Sequence, residues 1–128
     1  MIHHLAFLEI VVNDIDMAID WYTRILGFKP LGEIISNEDG RWCQLTTFSG
    51  DDHLALWQPP WTPNFDGKIH PSFVPVFAVH DLGKLVDQLA VSNVTILEGI
   101  RERVGYRITT IADPEGNKLQ LFEVTTLA

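Results

Sequence analysis

The chain has 128 residues, of which 46% are hydrophobic, and a formal net charge of −8 with a pI near 4.9. This length and hydrophobic content are typical of one domain with a buried core. The charge argues against nucleic acid or an anionic membrane surface as a partner, because both would repel the chain at long range. A single cysteine, Cys43, excludes an internal disulfide, and no run is apolar for long enough to span a bilayer. Without a signal-type leader, these features predict a cytoplasmic protein.

The first half of the chain predicts a strand, a helix and three further strands. The apolar run from Ile2 to Val12 predicts the first strand, and Asp14 is a predicted helix N-cap. Apolar residues one, four, five and eight places after Asp14 form one stripe of a helix that ends at Gly27. The three strand-like runs that follow, separated by turn-forming residues, are Phe28 to Ile35, Arg41 to Phe48 and His53 to Trp57.

The second half repeats this order. The segment Val12-Asn13-Asp14-Ile15 returns as Val79-His80-Asp81-Leu82, and the apolar residues after Asp81 stand at the same offsets as those after Asp14. This helix ends at Ser92-Asn93, where a left-handed or turn conformation is cheap. The strand-like runs after it are Val94 to Leu97, Tyr106 to Ala112 and Lys118 to Val124, and the turn at 113–117 corresponds to the one at 50–52.

The proline-rich segment 59–72 separates the two halves. We therefore predict one domain over 1–128, with repeat one at 1–58, a linker at 59–72 and repeat two at 73–128. The predicted class is α+β, with two tandem βαβββ repeats that form a curved mixed sheet around a cleft.

Two segments resemble the opening and closing signatures of the vicinal oxygen chelate superfamily, "VVNDIDMAIDWYTRILGFKPL" and "IADPEGNKLQLFE". That superfamily includes glyoxalase I, extradiol dioxygenases, fosfomycin resistance proteins and bleomycin resistance proteins. The resemblance covers nearly the whole chain and implies the same fold and a homodimer. Fold alone does not give function.

The resemblance also implies four positions for metal ligands, on the first and last strand of each half. In this chain those positions hold Phe7, Ala55, Val74 and Gln120. A glutamine oxygen can coordinate, but one neutral amide among apolar side chains supplies no charge to hold a divalent ion. We expect no metal and no other cofactor, unless the ligands come from a shifted register.

Alternation along the strands indicates which side chains share a face with those positions. The residues expected to bind a ligand are Phe7, Glu9, His53, Trp57, Val74, Gln120 and Phe122. This mostly apolar and aromatic set, with few polar groups, is suited to an organic molecule of moderate size.

Glu9 is a carboxylate within an apolar strand, so a partner is expected for it. It is either a general base or ligand anchor, or one half of a salt bridge at a strand end or a dimer interface, for example with Lys118 or Arg107. His53 is a second candidate acid or base. Three arginines, at 101, 103 and 107, either receive an anionic group or line a solvated hairpin. Cys43 is expected to be a buried, inert thiol.

Two functions remain open. The first is a metal-free protein that binds a small, partly aromatic or apolar organic molecule in the cleft, similar to the bleomycin resistance proteins. The second is a lyase, isomerase or dioxygenase of the same superfamily that uses Glu9 and His53, or a shifted metal site. The loss of the ligand positions favours the first.

Overall fold

The computed structural model describes residues 1–3, 5–61 and 74–125, and the chain divides into two units, Met1–Asn64 and Phe65–Ala128. The first unit contains β1 (Leu8–Val11), α1 (Ile15–Arg24), β2 (Lys29–Asn37), β3 (Gly40–Thr46) and β4 (His53–Gln58). The second contains β5 (Val76–Ala78), α2 (Leu82–Val91), β6 (Thr95–Arg103), β7 (Tyr106–Ala112) and β8 (Lys118–Val124). The predicted α+β class with tandem βαβββ repeats is confirmed.

Each unit has one four-stranded mixed sheet, and the two sheets have the same topology. The strand order is β1-β4-β3-β2 in the first unit and β5-β8-β7-β6 in the second. In each unit the strand before the helix pairs in parallel with the last strand, while the other pairs are antiparallel. The helical connection makes this parallel pairing possible, since parallel neighbours need a long crossover.

The two helices begin in the same way. The carboxylates of Asp14 and Asp81 accept hydrogen bonds from the backbone N–H groups of Met17 and Lys84, each at 3.1 Å. Both predicted N-caps are therefore confirmed. The predicted helix ends are confirmed as well, because Gly27 and Asn93 have left-handed backbone conformations with φ of 77° and 60°.

A second contact ties each helix start to the last strand of its own unit. Ile15 donates its backbone N–H to Gln58 Oε1 at 2.9 Å, and Leu82 donates to Glu123 Oε1 at 2.8 Å. These side chains satisfy N–H groups that the first turn of a helix leaves without an internal partner.

The core of each unit lies between its helix and one face of its sheet. In the first unit the fully buried side chains include Ile15, Tyr22, Leu45, Leu54 and Leu56, and in the second they include Leu82, Leu89, Ile111 and Leu119. Burying one such apolar side chain stabilises the fold by about 1.5 to 3 kcal/mol. The opposite face of each sheet is left for other contacts.

Two strands differ by more than two residues from their predicted bounds. β1 covers only Leu8–Val11 of the apolar run, and β6 extends to Arg103 instead of ending at Leu97. The pairing of β6 with β7 shifts register on both sides of Glu98, and these irregularities break the alternation by which a strand is predicted. The linker and domain assignment stays a prediction, since most of 59–72 lies outside the described residues.

Candidate ligand pocket of the first unit

The sheet of the first unit has one face against α1 and one face turned away from it. Register places Glu9, Ala55 and Gln44 side by side across β1, β4 and β3, and places Val11, Trp57 and Trp42 in the next row. Because side chains alternate along a strand, these two rows lie on the same face, opposite the core residues Leu54 and Leu56. We call this the open face of the first sheet.

A pocket of about 330 Å³ lies on this face, at the end where β2 turns into β3. Its volume is at the lower end of the range of about 300 to 1,000 Å³ found for small-molecule sites. The pocket is lined by Glu9, Ile35, Asn37, Asp39, Gly40, Trp42 and Trp57.

Hydrogen bonds to other side chains and to backbone fix the two indole rings in the pocket. Trp42 Nε1 donates to Glu9 Oε1 at 3.1 Å, and Trp57 Nε1 donates to the backbone oxygen of Asp39 at 2.8 Å. Further aromatic rings extend the wall: Phe7 contacts Trp42 edge to face at 5.6 Å between ring centroids, and Trp61 contacts Trp57 at 5.7 Å. Rings held in this way present their faces to a ligand at little entropic cost.

The bond from Trp42 to Glu9 crosses the whole width of β4. The strands that carry these two residues are neighbours of β4 on opposite sides, so their backbones are about 10 Å apart. Ala55, which register places between Glu9 and Gln44, is 0% exposed. Its methyl group leaves space above β4 that a longer side chain would fill.

The turn between β2 and β3 closes one end of the pocket. The Asn37 side-chain oxygen accepts from the backbone N–H of Asp39 at 2.8 Å. Gly40 follows with φ of 105°, and a Cβ at this position would clash with the backbone oxygen of Gln58. Glycine is therefore required there, both by conformation and by space.

Glu9 lies in an apolar strand, as the sequence indicates, but it is not buried there. Its side chain is exposed, and the partner that the structure gives it is the Trp42 indole. Arg107 pairs within its own unit, with Glu102 at 3.0 Å and Glu123 at 3.6 Å, and the salt bridge of Glu9 stays a prediction. A neutral N–H donor satisfies the carboxylate without cancelling its charge.

His53 lies on the open face but at the end of β4 farther from the pocket. Its Nδ1 atom is 2.6 Å from Gln44 Nε2, so the amide donates to the ring when the proton is on Nε2 of the histidine. Glu9 and His53 thus have separate partners, and His53 is not among the residues that line the pocket.

The predicted ligand-binding residues of the second half share a face of the second sheet. Val76 and Ala78 on β5 pair in register with Gln120 and Phe122, and Val74 lies two residues before β5. Gln120 Nε2 contacts Thr110 Oγ1 at 3.4 Å, and the Phe122 ring lies 5.3 Å from that of Tyr106. This face offers a second apolar surface with one amide.

The four positions at which the superfamily would place metal ligands do not fit a divalent cation. Phe7 and Ala55 in the first unit have no donor atom, and in the second unit Val74 has none while Gln120 has a neutral amide. Among the described residues, no group of three or more His, Cys, Asp or Glu side chains could hold a metal ion. The chemistry of these side chains therefore supports no metal-dependent step.

The arginines of the second unit are paired within their hairpin. Arg101 lies 3.3 Å from Glu98, Arg103 donates to the backbone oxygen of Glu102, and Arg107 has the partners given above. All three side chains remain partly or largely exposed, as a solvated hairpin predicts. An anionic ligand would have to displace these contacts.

Several pocket residues were not predicted from the sequence, above all Trp42 and the turn residues Asn37, Asp39 and Gly40. The face of β3 was not assigned, so Trp42 could not be placed. The turn at 49–52 was the available signal, because a hairpin closed there places Trp42 on the same face as Trp57, and the structure pairs the two. The turn between β2 and β3 was predicted, but nothing in its residue types marked it as part of a site.

The family model of the "Glyoxalase/Bleomycin resistance protein/Dioxygenase superfamily" matches residues 1–121. The chain belongs to this superfamily. The resemblance seen in the two signature segments is thereby confirmed.

Several solved structures have the same fold. TnmS3, described as an antibiotic binding protein from Streptomyces sp. CB03234, has a TM-score of 0.78 and 23% identity over 97% of this chain and 98% of that one. A superfamily member from Sphaerobacter thermophilus DSM 20745 has a TM-score of 0.77 and 25% identity over 95% and 98%. The fosfomycin resistance protein FosX from Listeria monocytogenes has a TM-score of 0.75 and 13% identity over 98% and 96%. No curated protein sequence matches the chain.

Proposed function

We propose that this protein binds a small, partly aromatic or apolar organic molecule and that it does so without the metal of its superfamily. The observation that carries the proposal is the pair of indole rings, Trp42 and Trp57, directly opposite each other on the open face and fixed by hydrogen bonds to Glu9 and to the Asp39 backbone. A wall of this kind stacks a planar ligand and needs no ordering when the ligand arrives.

Exposed apolar surface around the pocket supports an apolar ligand. Ile35, in the lining, is 52% exposed, and Phe7, in contact with Trp42, is 37% exposed. Covering such surface is favourable by about 25 cal/mol per Å². A stacked aromatic ring adds about 0.5 to 1.5 kcal/mol beyond the area that it buries.

The superfamily offers a precedent for binding. TnmS3, of the same fold, is an antibiotic binding protein by description. We extend binding of an organic molecule to this chain because its pocket has the aromatic walls for it, and because its four ligand positions supply one neutral amide and no charged donor for a metal. A homodimer in the cytoplasm is also part of the proposal.

The test is a screen of soluble planar aromatics, built on naphthalene, quinoline and anthraquinone, by ligand-observed NMR in the presence of EDTA. We expect hits that bind the wild-type protein and that bind Trp57→Ala at least about tenfold more weakly, because the variant removes one stacking wall. Phe48→Ala is the matched control: Phe48 is an exposed aromatic beyond the opposite end of β3, in contact with Lys29.

Equal binding to the wild type and to Trp57→Ala would contradict the proposed pocket. Binding that appears only after a divalent metal is added would contradict the metal-free part of the proposal.

The enzyme hypothesis has one observation in its favour, the exposed carboxylate of Glu9 in an aromatic pocket. Such a group is able to accept a proton from a bound substrate. Recovery of the ligand after long incubation separates the two functions, since a binding protein returns the compound unaltered and a lyase or isomerase does not.

A further inference from the structure

Among the described residues, the charged ones that line the pocket of the first unit are all acidic. They are Glu9 and Asp39, and no described lysine, arginine or histidine is in the lining. The adjacent Arg41 is directed to the other side of the sheet, where its guanidinium donates to both carboxylate oxygens of Asp16 on α1, at 2.9 and 3.2 Å. Arg41, the cationic residue that follows Asp39 and Gly40 in the sequence, is thus paired with a carboxylate outside the pocket.

The indole donors of the pocket are already occupied. Trp42 Nε1 is bonded to Glu9, and Trp57 Nε1 to the backbone oxygen of Asp39. What the two tryptophans offer a ligand is therefore the electron-rich face of each ring. Such faces attract cations within about 6 Å of the ring centroid, and tryptophan does so most strongly.

The Glu9 carboxylate is held next to one of these rings. The bond from Trp42 uses Oε1, and no described residue forms a hydrogen bond with Oε2. A negative oxygen and an aromatic face that lie side by side are complementary to one group, a positive charge with N–H or N–CH₃ contacts. An anionic ligand would be repelled by the same oxygen.

We infer that the ligand of this pocket is a cation: an amine, guanidinium or quaternary ammonium group lies against Glu9, and the aromatic or apolar remainder stacks on Trp42 and Trp57. This inference rests on the proposed function, since it names the class of molecule that the same pocket takes. The formal net charge of −8 acts in the same direction at long range, because it raises the local concentration of cations.

The experiment compares 2-naphthylmethylammonium with 2-naphthylmethanol, which has nearly the same shape and no charge, by titration calorimetry at low ionic strength with EDTA present. We expect the ammonium compound to bind about tenfold more tightly, from the ring faces and the carboxylate together. Added salt should reduce this preference.

Two variants locate the charge that is responsible. Glu9→Gln keeps an oxygen for the Trp42 N–H and removes the charge, so the preference should fall to about twofold or less. Asp20→Asn removes the same charge from α1, on the other side of the sheet, where the Asp20 side chain forms an exposed pair with Arg24. It should retain the preference of the wild type.

The outcomes separate this inference from the proposed function. Equal affinities, or tighter binding of the alcohol, would overturn the inference and leave an aromatic-binding pocket standing. A preference that survives in Glu9→Gln, or that is lost equally in Asp20→Asn, would also overturn it. If neither compound binds, both the inference and the proposed pocket fall.

Discussion

The position of the Glu9 carboxylate depends on two neighbouring residues. A small residue at position 55 leaves room above β4, and a tryptophan at position 42 reaches across that room to the carboxylate. The sequence indicated that Glu9 needs a partner, and this was correct. A charged partner was one of two alternatives, and the partner found within the first unit is the neutral N–H of Trp42, which leaves the charge of the carboxylate uncancelled.

Cys43 provides a test of the core at the scale of one residue. It is 2% exposed on the helix-facing side of β3, and burial raises the pKa of its thiol. A raised pKa lowers the thiolate fraction at neutral pH, and only the thiolate reacts. We expect no alkylation by iodoacetamide in the native protein and one alkylation per chain in concentrated guanidinium chloride, measured by mass spectrometry. Rapid alkylation of the native protein would contradict the placement of β3.

At the scale of elements, the duplication allows the start of α1 to be compared with the start of α2. Gln58 and Glu123 occupy matching places on β4 and β8, and each accepts from the first backbone N–H of its helix. Each also has an arginine as its cross-strand partner, Arg41 for Gln58 and Arg107 for Glu123. A glutamate should therefore be accepted at position 58.

The prediction concerns two substitutions of Gln58. Gln58→Ala should lower the free energy of unfolding by about 1 kcal/mol, because the N–H of Ile15 loses its acceptor. Gln58→Glu should keep the stability or raise it by a few tenths of a kcal/mol, since a negative charge is favourable at a helix N-terminus. Urea unfolding followed by circular dichroism measures both. If Gln58→Glu is as unstable as Gln58→Ala, the hydrogen bond accepted from the Ile15 N–H does not account for the contribution of Gln58 to stability.

The elements differ in how well the sequence predicts them, and the reasons are physical. The helices are predictable because an N-cap aspartate, an apolar stripe and a left-handed C-terminal residue are local features. The extent of β6 is not, because its register shifts remove the alternation on which the prediction rests. Trp42 was missed for a related reason: its place in the pocket depends on pairing between β3 and β4, which alternation within one strand does not reveal.

At the scale of the whole chain, the duplication is the feature that the sequence shows best. Matched helices, strands and turns predicted two βαβββ repeats, and both units have that order and the same sheet topology. Among the described residues, no helix has the length and the apolar composition needed to cross a membrane. The pocket could be predicted only in part, because its lining combines residues from all four strands of the first sheet.

The most direct test of the central claim follows the indole N–H signals of the four tryptophans in a ¹H–¹⁵N NMR spectrum during titration with 2-naphthylmethylammonium. If the ligand binds on the open face of the first unit, the Trp42 and Trp57 signals shift together and saturate at one dissociation constant. Trp21, buried in α1 against Tyr22, should not shift. Binding detected by calorimetry with no change at Trp42 and Trp57 would contradict the account and place the ligand elsewhere.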